Sequence, residues 1–221
     1  MTAHSAKITA SSAVVPTQQH SAYAIIFKRI LDVLIVVLAL PFLVPFFLVA
    51  CLFIALDGNS PFFVQERVGM HGKRFMMWKF RTMVPDAEDR LEQYLAENED
   101  ARIEWRDKQK LNDDPRVTFF GNILRRTSMD ELPQMINVLL GDMSLVGPRP
   151  MLPSQQALYE GHGYYRLRPG VTGIWQVTAR NSCNFAERAK YDDEYEARVG
   201  FLTDASIFAR TVGVVLRGTG V

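Results

Sequence analysis

The sequence predicts a single membrane-associated domain with a helix-rich α+β fold. Three observations support this prediction. Residues 33–56 form an apolar run without a charged side chain. Residues 57–84 hold short mixed runs between glycine-containing turns, a pattern typical of short strands. Residues 86–114 and 185–217 have the composition and the apolar spacing of helices.

The composition fits a folded domain and excludes several classes of protein. Of the 221 residues 48% are hydrophobic, which is enough for a packed core. The 25 basic and 24 acidic residues give a net charge of +1, which excludes a nucleic-acid-binding protein that depends on overall positive charge. The two cysteines exclude a disulfide framework and a four-cysteine zinc site. The glycine-rich fingerprints of ATP and dinucleotide sites do not occur in the sequence.

The N-terminal part of the chain predicts a tail followed by a membrane segment. Residues 1–20 are rich in Ala, Ser, Thr and Gln, lack apolar periodicity and predict a flexible tail. The 24 apolar residues of 33–56 exceed the roughly 20 that span a bilayer, so we assign residues 21–57 to the membrane. Pro41 and Pro45 interrupt the run. They fit either a kinked spanning helix or a re-entrant hairpin that enters and leaves on one face.

Charges on both sides of the apolar run favour the re-entrant hairpin. Lys28 and Arg29 precede the run, and five basic residues follow it between positions 67 and 81. A spanning helix would place one basic group outside, against the positive-inside tendency, whereas a hairpin keeps both groups inside. Asp32 lies where the run begins. Two interpretations stay open for it: an ion pair with Lys28 or Arg29 at helical spacing, or a functional role at this depth.

Two further segments predict helices. Residues 86–114 contain 11 acidic and 5 basic residues, a net charge of −6, and predict a solvated helix with Asp86 as its N-cap. Residues 185–217 predict a charged helix and then an apolar one. The apolar helix either packs on the domain or lies against the membrane surface.

An adjacent pair of carboxylates, Asp130 and Glu131, directly precedes a short apolar helix. Ser128 and Glu131 have capping-box spacing, but Pro133 is equally suited to the first position of that helix. In either case the pair lies at a helix N-terminus. The helix dipole there favours ionised carboxylates, and free N–H groups suit phosphate oxygens.

Arginines near the pair in the sequence indicate an anionic ligand, because guanidinium groups bind phosphate bidentately. An aspartate facing a diphosphate is repelled by about 4 kcal/mol at 4 Å and an effective dielectric of 20, which Mg²⁺ would offset. Glu131 is the candidate Mg²⁺ ligand, and Asp130 is then free to attack phosphorus. The arginines are Arg116, Arg125, Arg126, Arg149, Arg168 and Arg180.

Four ordered motifs resemble the bacterial sugar transferase family, the small monotopic phosphoglycosyl transferases. They are KRILD with the proline-broken run, QERVGMHGKRFMMWKFRTM, the stretch from DPRVTFF to VGPRP, and RPGVTGIWQVTARN. Together they cover about Phe27 to Gly218. The resemblance implies transfer of a hexose-1-phosphate, of galactose or glucose, from a UDP-sugar to polyprenyl phosphate. It implies release of UMP on the cytoplasmic face of the inner membrane, as the first step of exopolysaccharide assembly.

The resemblance also implies roles for individual residues. Asp130 would be the nucleophile that carries a covalent phosphosugar, and Glu131 would bind Mg²⁺. The re-entrant helix would break at Pro41, with Pro45 as an additional break, and residues 58–221 would form the cytoplasmic catalytic domain. The basic positions that contact substrate would be Lys79, Arg81, Arg125, Arg149 and Arg180.

Two alternatives keep part of this interpretation. In one, Asp130 acts as a base in a direct reaction between both substrates. In the other, the chain is a membrane scaffold or regulator that has lost catalysis, although the intact acidic pair and the arginines argue against that. Downstream glycosyltransferases are candidate protein partners, and no nucleic acid is expected.

Overall fold

The structure, a computed structural model, describes residues 23–108, 111, 113–178, 185 and 187–216. Within these ranges the long or central helices are α1 (Lys28–Ile54), α2 (Ala87–Glu97), α3 (Glu99–Lys108), α4 (Phe119–Arg126) and α5 (Gln134–Leu140). The later helices are α6 (Gly163–Arg166), α7 (Ile174–Thr178), α8 (Arg188–Arg198) and α9 (Phe201–Leu216). The strands are β1 (Phe62–Val68), β2 (Arg74–Phe80), β3 (Ser144–Val146) and β4 (Gly170–Thr172). A helix-rich fold with short strands is thereby confirmed.

Helix α1 contains the apolar run and continues across Pro41 and Pro45 without interruption. In the described part of the chain it is the one helix long and apolar enough to cross a membrane. Its buried residues fall at its two ends, with none buried between Val36 and Ala50. Both ends therefore pack on the same domain, while the middle of the helix, which holds both prolines, stays outside the core. The predicted helix–break–helix form is not seen in α1.

The N-terminal end of α1 is held by charged and polar contacts. The Lys28 ammonium pairs with Asp204 of α9 at 2.5 Å. Asp32 accepts hydrogen bonds from the Ser144 hydroxyl at 2.7 Å and from the Leu145 backbone N–H at 3.2 Å, both in β3. Arg29 donates to the carbonyls of Val138 and Leu139 at the end of α5. These side chains attach α1 to three elements of the domain.

The C-terminal end of α1 is held mainly by apolar packing. Ala50 and Ile54 belong to a buried cluster with Phe80 of β2 and Leu124 of α4. Arg81, which follows β2, donates to the Ile54 carbonyl at 3.1 Å. Arg81 is predicted to contact substrate, but its guanidinium bonds the backbone at the end of α1.

Strands β1 and β2 form the hairpin that the glycine-punctuated stretch predicts. They pair antiparallel, with Phe62 opposite Phe80 and Val68 opposite Arg74. The Asn137 side chain of α5 bonds two backbone groups of β2: it accepts from Trp78 N–H at 3.0 Å and donates to the Met76 carbonyl at 2.7 Å. The hairpin is therefore fixed against the helix that follows the acidic pair.

Strands β3 and β4 pair in parallel and bring the GPRP loop next to the RPG turn. Gly147 and Gly170 meet here so closely that a Cβ on Gly170 would lie 2.0 Å from the Gly147 nitrogen. Glycine is required at this crossing because the two backbones leave no space for a side chain. The crossing fixes the loop that carries Arg149.

The acidic segment forms two helices rather than one. Asn98 adopts an extended conformation between α2 and α3, and α2 has no buried residue. The predicted solvated character is confirmed for α2. Asp86 stands at the N-cap position, but its side chain caps nothing and instead pairs with Arg90 at 3.1 Å.

The apolar C-terminal helix α9 packs on the domain, one of the two alternatives that the sequence leaves open. Its inner face buries Asp204 and Ile207 and bonds Thr211 to Thr172 of β4 at 2.7 Å. Its outer face leaves Leu202 80% exposed.

Candidate active site

The acidic pair lies in a 3₁₀ turn, Met129–Glu131, between α4 and α5. Ser128 turns the chain out of α4 in the left-handed conformation, at φ 57 and ψ 17. Its side chain caps no backbone group, so the predicted capping box does not form. Helix α5 begins at Gln134, directly after Pro133, which is closer to the second of the two predicted starts.

Lys79 of β2 lies between the two carboxylates. Its ammonium is 2.7 Å from Glu131 Oε1 and 3.6 Å from Asp130 Oδ2. Arg149 of the GPRP loop also contacts Glu131, with one guanidinium nitrogen 3.2 Å from the same oxygen. Four of the predicted site residues, which are 70 positions apart at the extremes of the sequence, thus form one cluster, the active cluster (Lys79, Asp130, Glu131 and Arg149).

The two carboxylates of the active cluster differ in their electrostatic environment. Burial alone would raise the pKa of Glu131, but Lys79 and Arg149 outweigh it and lower that pKa to about 2. Burial also raises the pKa of Asp130, and here the cations do not outweigh it, because Lys79 is further away and Glu131 adds a repelling charge. Glu131 is therefore a fixed anion, while Asp130 is the more basic carboxylate.

Asp130 also differs in its hydrogen bonding. Among the described residues it accepts no hydrogen bond, and its closest ionic contact is the 3.6 Å approach of Lys79. A buried carboxylate usually has several donors, so Asp130 retains lone pairs that a ligand can use. A carboxylate that is desolvated, basic and without hydrogen-bond donors is suited to nucleophilic attack.

A small cavity of about 30 Å³ opens beside Glu131. Its charged and amide-bearing lining consists of Arg67, Lys79, Glu131, Gln134 and Arg149. In the sequence, Arg67 stands out only as one of the basic residues that follow the apolar run. The pairing of β1 with β2 could have identified it, because Arg67 and Lys79 lie on one face of the hairpin.

Arg149 is supported by an aromatic stack that the sequence does not predict. Its guanidinium lies 5.9 Å from the centre of the Trp175 ring, and the Arg188 guanidinium lies 5.1 Å from the same ring. Arg188 also donates a hydrogen bond to the Arg149 carbonyl. Trp175 therefore serves here as a platform for two arginines, which restrains the guanidinium that reaches Glu131.

The other predicted phosphate-binding arginines differ in the groups that they contact. Arg125 donates to the Thr82 hydroxyl at 2.9 Å. Its charge partly opposes the rise that burial causes in the pKa of Asp130. Arg116 is engaged by Asp114 of its own DPR frame, at 2.8 and 2.6 Å, and is nearly buried. That pairing neutralises Arg116, so we do not include it in the site. Arg180 lies outside the described residues.

Comparison with known proteins identifies the family of the chain. The chain matches the bacterial sugar transferase family over residues 23–218. It is 41% identical over 198 residues to the exopolysaccharide production protein ExoY of Sinorhizobium fredii, which covers 88% of each chain. It is 40% identical over 195 residues to the undecaprenyl-phosphate galactose phosphotransferase of Salmonella typhimurium, covering 87% of this chain and 41% of that protein.

A third relative is the UDP-glucose:undecaprenyl-phosphate glucose-1-phosphate transferase of Klebsiella pneumoniae, 36% identical over 178 residues. The chain covers 35% of that protein. It thus spans nearly the whole of ExoY and less than half of these two longer transferases. The family match includes every element from α1 to α9. The chain belongs to the bacterial sugar transferase family.

Proposed function

We propose that this protein transfers a hexose-1-phosphate from a UDP-sugar to polyprenyl phosphate and releases UMP, as the first step of exopolysaccharide assembly. The observation that carries the proposal is the buried carboxylate of Asp130, which accepts no hydrogen bond among the described residues. Its neighbour Glu131 lines a cavity with more cations than anions. The names of the relatives, which specify undecaprenyl phosphate and galactose or glucose transfer, support the class of substrate.

The reaction takes two displacements at phosphorus. A carboxylate oxygen of Asp130 forms a bond to the β-phosphorus of the UDP-sugar, and the bond from that phosphorus to the bridging oxygen of UMP breaks. UMP leaves with the electron pair, and the sugar phosphate remains on Asp130 as an acyl phosphate. An oxygen of polyprenyl phosphate then attacks the same phosphorus, the aspartyl bond breaks, and the Asp130 carboxylate is regenerated.

Lys79 and Arg149 lower the barrier by electrostatic stabilisation. Both are fixed before substrate arrives, Lys79 by Glu131 and Arg149 by Glu131 and Trp175. Fixed cations stabilise the charge that develops on the equatorial oxygens and on the leaving oxygen without reorganising.

The donor set is compatible with Mg²⁺. Magnesium is commonly held through one or two carboxylates and completed by substrate phosphate oxygens. Glu131 uses one oxygen for Lys79 and Arg149, and its other oxygen forms no hydrogen bond or ion pair among the described residues. We propose that Glu131 holds the ion, which would neutralise phosphate charge when bound.

The proposed location is the inner membrane, with the catalytic domain and both ends of α1 on the cytoplasmic face. In this proposal α1 re-enters by bending at its two prolines, without a break in the helix. Both ends of α1 pack on one domain, which argues against placing them on opposite sides of a bilayer. Cysteine labels placed at Ser21 and Asn59 should react with a membrane-impermeant reagent from the same side. Labelling from opposite sides would instead indicate a spanning helix.

A panel of UDP-sugars with undecaprenyl phosphate, in membranes or nanodiscs, tests the proposed reaction. We expect UMP release with one donor or a few, and a mass increase of one hexose phosphate on the protein when the acceptor is omitted. Parallel initial-rate lines are expected for two displacements, and intersecting lines would indicate a direct reaction with Asp130 as a base. No UMP release with any donor would favour a scaffold without catalysis.

A further inference from the structure

Arg67 lines the same cavity as Lys79 and lies further along the hairpin. Lys79 pairs with Phe63 across the hairpin, and Arg67 is four residues further along β1. Opposed residues and alternate residues of an antiparallel pair share a face, so both cations point to the same side. Their Cα atoms are about 13 Å apart along the strands. Both line the cavity, with Met77 between them.

The guanidinium of Arg67 is only partly used by the protein. One η nitrogen donates to the Gln65 side-chain oxygen at 2.5 Å, and the other makes a long 3.4 Å contact with the Pro150 carbonyl. The ε nitrogen is buried and has no hydrogen-bond partner among the described residues. A guanidinium has five N–H groups in a planar fork, so donors remain for a planar or tetrahedral anion.

The surroundings of Arg67 have too little negative charge. Three cations line the cavity, Arg67, Lys79 and Arg149, against one carboxylate, Glu131. That carboxylate is already shared by Lys79 and Arg149. Burial and the neighbouring Arg149 lower the pKa of Arg67 to about 10, which still leaves it protonated at neutral pH. An anion bound beside Arg67 would remove the imbalance.

We infer that Arg67 binds a phosphate group of a substrate further along the hairpin than Lys79, an inference that rests on the proposed function. The group is one that does not undergo attack, because Asp130 lies beside Lys79. Its source is either the UMP phosphate of the donor or the phosphate of the lipid acceptor. Arg67 is thus a binding residue, and Asp130 and Glu131 carry out the chemistry.

The test compares Arg67→Met and Arg67→Lys with Arg74→Met, a matched control on the exposed side of the same hairpin. We expect Arg67→Met to raise the KM for one substrate about tenfold or more, as the loss of a charge-assisted hydrogen-bond pair predicts. Arg67→Lys should recover part of that loss. A raised KM for the UDP-sugar identifies the donor phosphate, and a raised KM for undecaprenyl phosphate identifies the acceptor.

A binding measurement separates this inference from the proposed reaction. Inorganic pyrophosphate should raise the melting temperature of the wild-type protein and of Arg74→Met, and should raise that of Arg67→Met less. Equal KM values in Arg67→Met and Arg74→Met, with equal stabilisation by pyrophosphate, would overturn the role of Arg67. A loss of kcat and of melting temperature with both KM values unchanged would show a purely structural role and also overturn it. If wild-type protein binds pyrophosphate but transfers no sugar phosphate, the proposed reaction is contradicted, whereas the role of Arg67 in binding phosphate is not.

Discussion

Two buried lysine–carboxylate clusters in this molecule are built from similar groups and differ in how their carboxylates are bonded. In the docking cluster (Tyr23, Lys28, Tyr195 and Asp204), Asp204 accepts from Tyr195 at 2.6 Å, from Tyr23 at 2.8 Å and from Lys28 at 2.5 Å. In the active cluster, Asp130 accepts no hydrogen bond among the described residues. Burial is comparable, since the side chains of Asp204 and Asp130 are 10% and 14% exposed.

The difference in hydrogen bonding distinguishes a carboxylate that attaches α1 to the domain from one that is suited to react. A carboxylate that is saturated by donors stabilises the arrangement of the groups around it, whereas one that is desolvated and unsaturated is held at a cost in stability and is available to a ligand. The backbone conformations around the two aspartates also differ. Asp204 lies in the regular helix α9, and Asp130 lies in a short turn that follows a residue with positive φ.

The largest expected effect comes from neutralising each aspartate in turn. Asp130→Asn should reduce transfer by on the order of a thousandfold or more, because the amide cannot form the acyl phosphate. Its free energy of unfolding should change by less than about 1 kcal/mol, since Asp130 accepts no hydrogen bond from the described residues and Lys79 keeps Glu131 as its partner. UMP release and thermal unfolding in the same detergent measure the two effects.

Asp204→Asn is the matched substitution in the docking cluster. It leaves the buried ammonium of Lys28 without its closest counter-charge, which should cost about 3 kcal/mol of stability. The protein that remains folded should retain its kcat. Equal losses of stability in both variants, or sugar-phosphate transfer by Asp130→Asn, would show that the two clusters do not differ as described.

Much of the active cluster can be predicted from the sequence, because its members lie in short rigid motifs. The adjacent acids stand directly before an apolar helix, and Arg149 stands in a GPRP frame, so residue type and local context suffice. Lys79 comes from the resemblance to the family. Arg67 is missed because its role depends on the register of β1 against β2, which is a contact between strands and not a local pattern.

The attachment of α1 is the part that sequence patterns describe least well. Asp32 is predicted to pair with Lys28 or Arg29 along the helix, or to have a functional role, but it binds Ser144 and Leu145, more than 100 positions away. A helical spacing predicts only local partners, whereas the hydrogen bonds of Asp32 go to residues that the fold brings close to it. Arg116 shows the converse, since a basic side chain that suits phosphate is neutralised by a neighbour two residues before it.

A smaller effect is expected in the pH dependence of transfer. The raised pKa of Asp130 means that its carboxylate is protonated at a higher pH than an ordinary aspartate, so kcat/KM should fall as pH falls through that raised pKa. Arg125 lowers this pKa by its charge, and Arg125→Gln should therefore move the acid limb to higher pH. Arg126→Gln, an exposed neighbour on α4, should leave the limb where it is. A limb that moves to lower pH in Arg125→Gln would contradict this electrostatic account of Asp130.

The smallest effect concerns the backbones that carry the two aspartates. Ser128 has φ 57, a conformation that costs a non-glycine residue about 1 kcal/mol, so Ser128→Gly should leave stability unchanged or raise it by up to about 1 kcal/mol. The same substitution at the exposed Ser206, inside α9 and two residues after Asp204, should lower stability by about 0.5 kcal/mol, because glycine is a poorer helix former than serine. Chemical denaturation of both variants measures the two changes. Opposite signs would support a strained turn under Asp130 and a relaxed helix under Asp204, whereas a loss of stability in Ser128→Gly as large as in Ser206→Gly would show that the turn before Asp130 stores no strain.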